Sequence, residues 1–317
     1  MAAYLMYKNL FFTCILLLGS YFAVGQHVEH LKSKDQKTKF PIIDMHFHSD
    51  WWGIPGMVES LSGLKAPRTR QAFVSESFEY LKRYRIVRAV TDGAYTADYQ
   101  KISPGLIIPA HASFGSPIDS LRKWFKNGNY AVMGEFEPQY AGISPGDSSL
   151  EPYYALAEEL DVPLGIHVGL GPPGAPYIKG MAKYRMSLSN PLLLEDVLVR
   201  HPNMRLYVMH AGWPFLDEMV GLLYAHPQVY IDIAVISWVL PRKEFHQYLQ
   251  RLVEAGYGKR IMYGSDEMQW AQSIKISVEN ILSASFMTKV QKEDIFYNNA
   301  ARFLRLSKDD IKKDKQQ

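Results

Sequence analysis

The stretch Pro41-Ile42-Ile43-Asp44-Met45-His46-Phe47-His48 is an apolar segment that ends in His-x-His. Alternate side chains of a β-strand leave from the same face, so a strand here projects His46 and His48 together at its C-terminal end. Two imidazoles on one face form half of a metal site. Taken alone, the pair is equally consistent with two surface histidines on an edge strand.

Four later segments have the same design, because each is apolar and ends in a residue that can bind a metal. They are Ala131-Val132-Met133-Gly134-Glu135, Pro163-Leu164-Gly165-Ile166-His167, Leu206-Tyr207-Val208-Met209-His210 and Ile261-Met262-Tyr263-Gly264-Ser265-Asp266. Five such strands are difficult to attribute to coincidence. The pattern therefore predicts a metal at the C-terminal ends of the strands.

Short apolar runs alternate with helical patterns along most of the chain. The predicted strands are 41–46, 86–91, 105–110, 130–135, 163–167, 205–210, 229–233 and 261–265. The predicted helices are 70–84, 116–127, 149–160, 190–200, 214–225, 241–256, 270–284 and 292–304. Eight such units indicate an α/β protein, a single (β/α)8 TIM-type barrel with its site at the strand C-termini. A doubly wound open sheet is the alternative, but no glycine-rich phosphate-binding turn follows the first strand.

The N-terminal 25 residues have the features of a secretory signal peptide. Lys8 is their only charge, an apolar run extends over 10–24, and Ala23 and Gly25 precede a predicted cleavage before Gln26. An uncleaved anchor is the alternative, although the run is shorter than the ~20 residues that span a membrane. We therefore expect a secreted or periplasmic protein with no stable membrane insertion after cleavage.

The remaining chain is predicted to have three parts: a polar linker at 26–40, the barrel at 41–306, and a charged tail at 307–317 that frays. Cys14 is the only cysteine, and cleavage would remove it. A metal in the mature chain must then be bound by imidazole and carboxylate. Hydrophobic residues make up 47% of the 317, enough for a large core, and the net charge of +3 does not indicate a nucleic-acid partner.

As a set, the strand-end residues resemble those of the amidohydrolase superfamily, and within it the amidohydrolase-related group of metal-dependent hydrolases, lactonases and aromatic-acid decarboxylases. The resemblance covers about residues 41–306 and includes the late segment Tyr297-Asn298-Asn299-Ala300-Ala301-Arg302-Phe303-Leu304. It implies that His46, His48 and Asp266 bind one divalent metal. It further implies that His167 completes this site or binds a second ion, and that His210 binds the second ion or polarises the substrate.

Glu135 departs from the pattern of this superfamily, because many members have a carboxylated lysine at the end of the fourth strand. A glutamate here either bridges two ions or orients a histidine. Both roles stay open, with a slight preference for two ions because Gly134 leaves room where strand and loop crowd. Zinc suits imidazole and carboxylate ligands best, although Mn²⁺ or Fe²⁺ can use the same set.

These residues lead us to expect an exported metal-dependent hydrolase, in which a metal-activated water attacks the C–N or C–O bond of an amide, lactone or ester. Asp266 and His210 are the predicted catalytic residues. A decarboxylase or hydratase of the same superfamily is the first alternative. A non-catalytic secreted protein that binds a metal or a sugar is the second.

Two features bear on a small-molecule substrate, whereas the sequence does not predict the oligomeric state. Tryptophans follow several predicted strands, and they either line the site for an aromatic or sugar-like ligand or pack long loops. They are Trp51, Trp52, Trp213, Trp238 and Trp270. The loop 169–189 carries Lys179, Lys183 and Arg185, which either meet a substrate carboxylate or are solvated.

Of the other histidines, His111 is a candidate site residue, whereas His201, His226 and His246 are predicted to be structural or exposed.

Overall fold

A computed structural model describes residues 38–317, which adopt the predicted (β/α)8 TIM-type fold. Eight strands follow one another in the sheet in chain order, and helices alternate with them. The predicted signal peptide, Cys14 and most of the predicted linker lie outside the described residues. Within residues 38–317, no helix is long and apolar enough to span a membrane.

All eight predicted strands are present. They are β1 Ile42–His48, β2 Ile86–Asp92, β3 Ile107–His111, β4 Val132–Phe136, β5 Leu164–His167, β6 Leu206–Met209, β7 Tyr230–Asp232 and β8 Ile261–Met262. The α-helices are α1 Arg70–Arg83, α2 Thr96–Ile102, α3 Ile118–Lys126, α4 Glu151–Glu159, α5 Glu195–Arg200, α6 Leu216–Ala225, α7 Ile236–Val239, α8 Arg242–Leu252, α9 Gln272–Leu282, α10 Lys289–Glu293, α11 Asn299–Phe303 and α12 Lys308–Gln316. Each predicted helix overlaps a helical segment, and α2, α7 and α12 were not predicted.

The described residues form two compact units. The central unit is Pro109–Ile231, and the terminal unit combines 38–108 with Asp232–Gln317. In the central unit the strands pair in parallel, with Met133 opposite Leu164 and Leu164 opposite Leu206. Only glycine fits at position 165, because a Cβ added there would lie 2.4 Å from the ring of Tyr207. A buried aromatic ring therefore fills the space beside β5.

In the terminal unit, β1 pairs in parallel with β2, and its whole length is buried. A backbone hydrogen bond of 3.0 Å from Met45 N to Tyr263 O joins β1 to the segment after β8. The helix α1 begins after Thr69, whose side chain accepts from Ala72 N and so satisfies an otherwise unpaired helix amide. This packing fixes the strand that carries the His-x-His motif.

The charged tail is helical, so the expectation that it frays is wrong. The helix α12 begins after Ser307, whose hydroxyl accepts from Asp310 N. Near its end, Asp314 is 1% exposed and accepts from Arg88 Nε at 2.7 Å and from Tyr297 Oη at 2.8 Å. These buried, charge-assisted hydrogen bonds hold the tail on the terminal unit.

Candidate metal centre

His46, His48 and Asp266 come together in the terminal unit. Their candidate ligand atoms all lie within 4.8 Å of one another, and the three residues are buried. The Oδ1 atom of Asp266 is 3.0 Å from His48 Nε2 and 3.7 Å from His46 Nε2. These are the three residues that the sequence analysis assigned to one ion.

Local packing explains why the three side chains converge. The fully buried Asp44 accepts hydrogen bonds from His46 N at 3.0 Å and from Ser265 N at 2.9 Å, and so links β1 to the segment after β8. Burial raises the pKa of Asp44 to about 7, although these hydrogen bonds oppose the rise. Asp266 has φ of 50°, in the left-handed region, and its N–H donates to His46 O at 2.7 Å. Such a backbone costs about 1–3 kcal/mol and persists where the surroundings enforce it.

Two further carboxylates contact these histidines. The Oδ1 atom of Asp92 lies 2.6 Å from His48 Nδ1, and the Oδ2 atom of Asp232 lies 3.3 Å from His46 Nδ1. Neither residue is among the ligands predicted from the sequence. Asp92 ends β2 and Asp232 ends β7, so an apolar strand that ends in a ligand-type residue could have marked both as candidate ligands, but not as partners of His48 and His46.

Charge around His48 favours its protonated form in the metal-free protein. Burial alone would lower the pKa of His48, but the neighbouring Asp92 and Asp266 carboxylates outweigh burial and raise it well above the usual value. A cation that takes the place of this proton meets the same carboxylates. Binding of a metal here is therefore expected to release protons.

In the central unit, Glu135, His167 and His210 form a second cluster. Glu135 Oε1 is in close contact with His167 Nδ1. The Nε2 atom of His210 lies 3.3 Å from His167 Nδ1 and 3.6 Å from Glu135 Oε1. Because His167 Nε2 lies 3.0 Å from Leu170 O, a proton on Nε2 can be donated to this carbonyl while Nδ1 faces the cluster.

The backbone of this second cluster is also unusual. His210 has φ of 58°, in the left-handed region, and a Cβ added to Gly169 would lie 2.8 Å from His210 Cβ. A Cβ added to Gly134 would lie 3.2 Å from the carbonyl oxygen of Gly165, so the expected crowding before Glu135 is present. Glu137, which the sequence analysis did not single out, forms a further candidate ligand group with Glu135 and His167.

The donors present in both clusters fit a divalent cation. Imidazole nitrogen and carboxylate oxygen are ligands of zinc and of other first-row metals, and all six predicted ligands are buried. They divide into His46, His48 and Asp266 in one unit and Glu135, His167 and His210 in the other. The bridging role of Glu135 stays a prediction.

Several tryptophans pack loops of the terminal unit. Trp238 is 1% exposed and donates from Nε1 to Ser265 O at 2.7 Å. Trp270 donates from Nε1 to Met57 O at 3.1 Å and contacts Trp52 edge-on. The loop-packing interpretation is therefore correct for the buried Trp238 and Trp270.

Two histidines of the central unit outside the predicted ligand set, His111 and His201, have aromatic or carboxylate neighbours. His111 packs against Trp124 and Tyr130, and it belongs to no candidate metal group found within 38–317. His201 lies 2.7 Å from Glu151 and 2.9 Å from Glu158, which supports its structural role. The basic side chains of loop 169–189 are exposed.

Two tyrosines, and not the basic side chains of loop 169–189, pack next to His167. The ring of Tyr140 lies 5.3 Å from the His167 ring and 5.2 Å from the ring of Tyr184. Tyr184 belongs to the small apolar core of loop 169–189, together with Ala175 and Met181. The loop therefore packs next to the second cluster through apolar and aromatic contacts.

Comparison with solved structures supports the fold. An uncharacterised TIM-barrel protein from Bordetella bronchiseptica is similar with a TM-score of 0.65 and 16% identity, over 85% of this chain and 99% of that one. A probable 2-pyrone-4,6-dicarboxylic acid hydrolase from Acinetobacter baumannii has a TM-score of 0.58 and 12% identity, over 84% and 99% of the two chains. A 2,6-dihydroxybenzoate decarboxylase from Rhizobium has a TM-score of 0.57 and 12% identity, over the same 84% and 99%.

Sequence comparison gives a short match and a long one. Protein fluG of Emericella nidulans is 24% identical over 104 residues, which are 33% of this chain but only 11% of that protein. The profile described as Amidohydrolase matches residues 43–306, which include all six predicted ligands. The chain therefore belongs to the amidohydrolase family, whose members are metal-dependent enzymes.

Proposed function

We propose that the protein is an exported, metal-dependent hydrolase that cleaves a C–N or C–O bond of a small carbonyl compound. The observation that carries this proposal is the buried cluster of His46, His48 and Asp266, with Asp266 Oδ1 3.0 Å from His48 Nε2. When bound, a divalent cation would polarise a carbonyl and make a nearby water more acidic. Zinc is our first choice because the donors are imidazole and carboxylate.

The residues of the terminal unit then have separate roles. His46 and His48 would bind the cation through Nε2, the ring nitrogen of each that faces Asp266. A carboxylate oxygen of Asp266 accepts the proton of the attacking water and returns it to the leaving group. Burial of the three side chains strengthens these interactions, because water screens them little.

For the central unit, we propose that Glu135, His167 and His210 bind a second ion. His167 would contribute Nδ1, because its Nε2 faces the carbonyl of Leu170, and His210 would contribute Nε2. If this unit holds no ion, His210 is instead the group that polarises the substrate. These two roles of His210 are separated by metal analysis of protein prepared without a chelator. The wild type is compared with an Asp266→Asn and a His210→Asn variant, and loss of an ion in His210→Asn indicates that His210 is a ligand.

The reaction is tested with a panel of esters, lactones and amides, using metal-loaded protein. The D266N variant should lose about 10²–10⁴-fold in kcat, which a positioned proton acceptor contributes, and its metal content is measured alongside because Asp266 is also a proposed ligand. An Asp309→Asn variant removes an exposed carboxylate of α12 and should match the wild type. Release of CO₂ without net consumption of water would refute hydrolysis in favour of a decarboxylase.

The substrate is proposed to be a small molecule with a flat or carboxylate-bearing group. Two of the similar proteins are a probable hydrolase of a pyrone dicarboxylic acid and a decarboxylase of a dihydroxybenzoate. The ring of Tyr140 lies beside His167 and is backed by Tyr184, which suits a flat group. The panel should therefore include aromatic and dicarboxylic lactones.

Export is part of the proposal and rests on Lys8, the apolar run and the small residues before Gln26. Sequencing of the N-terminus of the protein recovered outside the cytoplasm should give Gln26 as the first residue. Recovery of exported protein that retains Met1 would contradict cleavage and favour an anchor.

A further inference from the structure

We propose that Asp92 and Asp232 are positioning residues, which hold His48 and His46 in the orientation and tautomer that bind the metal. This inference rests on the proposed metal function of the terminal unit. Neither carboxylate is among the metal ligands assigned above. Each carboxylate contacts the Nδ1 atom of one histidine, which is the ring nitrogen that faces away from the cluster.

Asp92 is placed by the strand pairing. It lies opposite His48 in the parallel ladder of β1 and β2, and its Oδ1 atom is 2.6 Å from His48 Nδ1. Its carbonyl accepts from both the N–H and the hydroxyl of Ser49 at 2.9 Å. The residue is therefore fixed by its backbone, and its buried side chain meets the imidazole without needing a rearrangement.

Asp232 is held in a different way. Its side chain is fully buried, Oδ1 accepts from Ala234 N at 3.0 Å, and Oδ2 lies 3.3 Å from His46 Nδ1. One oxygen anchors the carboxylate to the chain after β7, and the other faces the ring. The longer contact predicts a weaker hold on His46 than Asp92 has on His48.

The chemistry of these contacts selects one tautomer. An ionised carboxylate only accepts hydrogen bonds, so a neutral imidazole next to it carries its proton on Nδ1. The Nε2 lone pair then faces the cluster, where Asp266 Oδ1 lies 3.0 Å from one ring and 3.7 Å from the other. An asparagine amide can instead donate to Nδ1, which places the proton on Nε2 and blocks that atom as a ligand.

The test is direct metal binding to the full-length, metal-free protein. Zn²⁺ and Co²⁺ are titrated against a competing chelator, and the visible spectrum of bound Co²⁺ reports on the geometry of its ligands. The Asp92→Asn and Asp232→Asn variants should bind about 10–100-fold more weakly than the wild type, with the larger loss for D92N. The cobalt spectrum should also change, which a general loss of stability would not cause.

Two further variants keep the result interpretable. Asp314→Asn removes another buried carboxylate, on α12, and should leave the dissociation constant unchanged. Asp92→Glu keeps the carboxylate and should bind more tightly than D92N; if D92N does not fold, D232N carries the test. Wild-type affinity and spectrum in both D92N and D232N would overturn the inference. A wild-type protein that binds neither ion would instead refute the proposed function itself.

Discussion

Replacement of Gly264 by alanine tests how closely the chain packs behind His46. The added methyl would lie 2.9 Å from Ala234 Cβ and 3.0 Å from His46 Cβ. Both atoms are attached directly to the backbone, so the clash is relieved only if β1 or the segment after β7 moves. Overpacking of this kind costs about 1–3 kcal/mol of the free energy of unfolding. Displacement of His46 should also weaken zinc binding, because ligand distances tolerate only about 0.2 Å.

The assay compares urea unfolding and zinc affinity of Gly264→Ala with those of Gly221→Ala. Gly221 lies inside α6, and an added Cβ would meet nothing within 4 Å. This control should raise the free energy of unfolding by about 0.5–1 kcal/mol, because alanine favours the helix. The reasoning is refuted if G264A has the unfolding free energy and the zinc affinity of the wild type.

Three other predictions follow from the described contacts. Asp314→Asn should cost about 1–3 kcal/mol in chemical denaturation and speed amide exchange across α12, because it breaks a buried hydrogen-bonded pair; unchanged exchange would contradict the docking of the tail. Burial raises the pKa values of Glu151 and Glu158, but hydrogen bonds from Arg200, His201 and Asn203 outweigh it and lower both. The folded state therefore gains stability above the unfolded pKa of 4.5 and loses it as pH falls through the folded values, so Glu158→Gln should lose less stability than the wild type between about pH 5 and 3. Removal of metal by a chelator should lower the thermal midpoint, since a ligand at a hundred times its Kd stabilises by about 2.7 kcal/mol; identical melting curves would count against a resident ion.

The strands were predictable because each is a short apolar run, which parallel strands buried on both faces require. The positions of the six ligand-type residues were predictable from the strands, since a residue such as His46 or His167 at the end of an apolar run must lie at the C-terminal end of that strand. A prediction of this kind uses only neighbours in sequence. It fails where a residue acquires its role from a distant partner.

Three cases show this limit. The tail is charged and lacks an apolar stripe, and its helix is held by Asp314 against Arg88, which is 226 residues away. Asp92 acquires its contact with His48 from the register of two strands, which the letters of either strand alone do not specify. The tryptophans are similar, because sequence placed Trp238 after a strand but could not tell whether its indole faced a ligand or Ser265 O.

Anomalous scattering from zinc tests the central claim most directly, using crystals of protein purified without a chelator and data on both sides of the zinc absorption edge. We expect a peak about 2.0–2.2 Å from His46 Nε2, His48 Nε2 and an Asp266 carboxylate oxygen. Protein that carries stoichiometric zinc but shows no peak at these three side chains would contradict it.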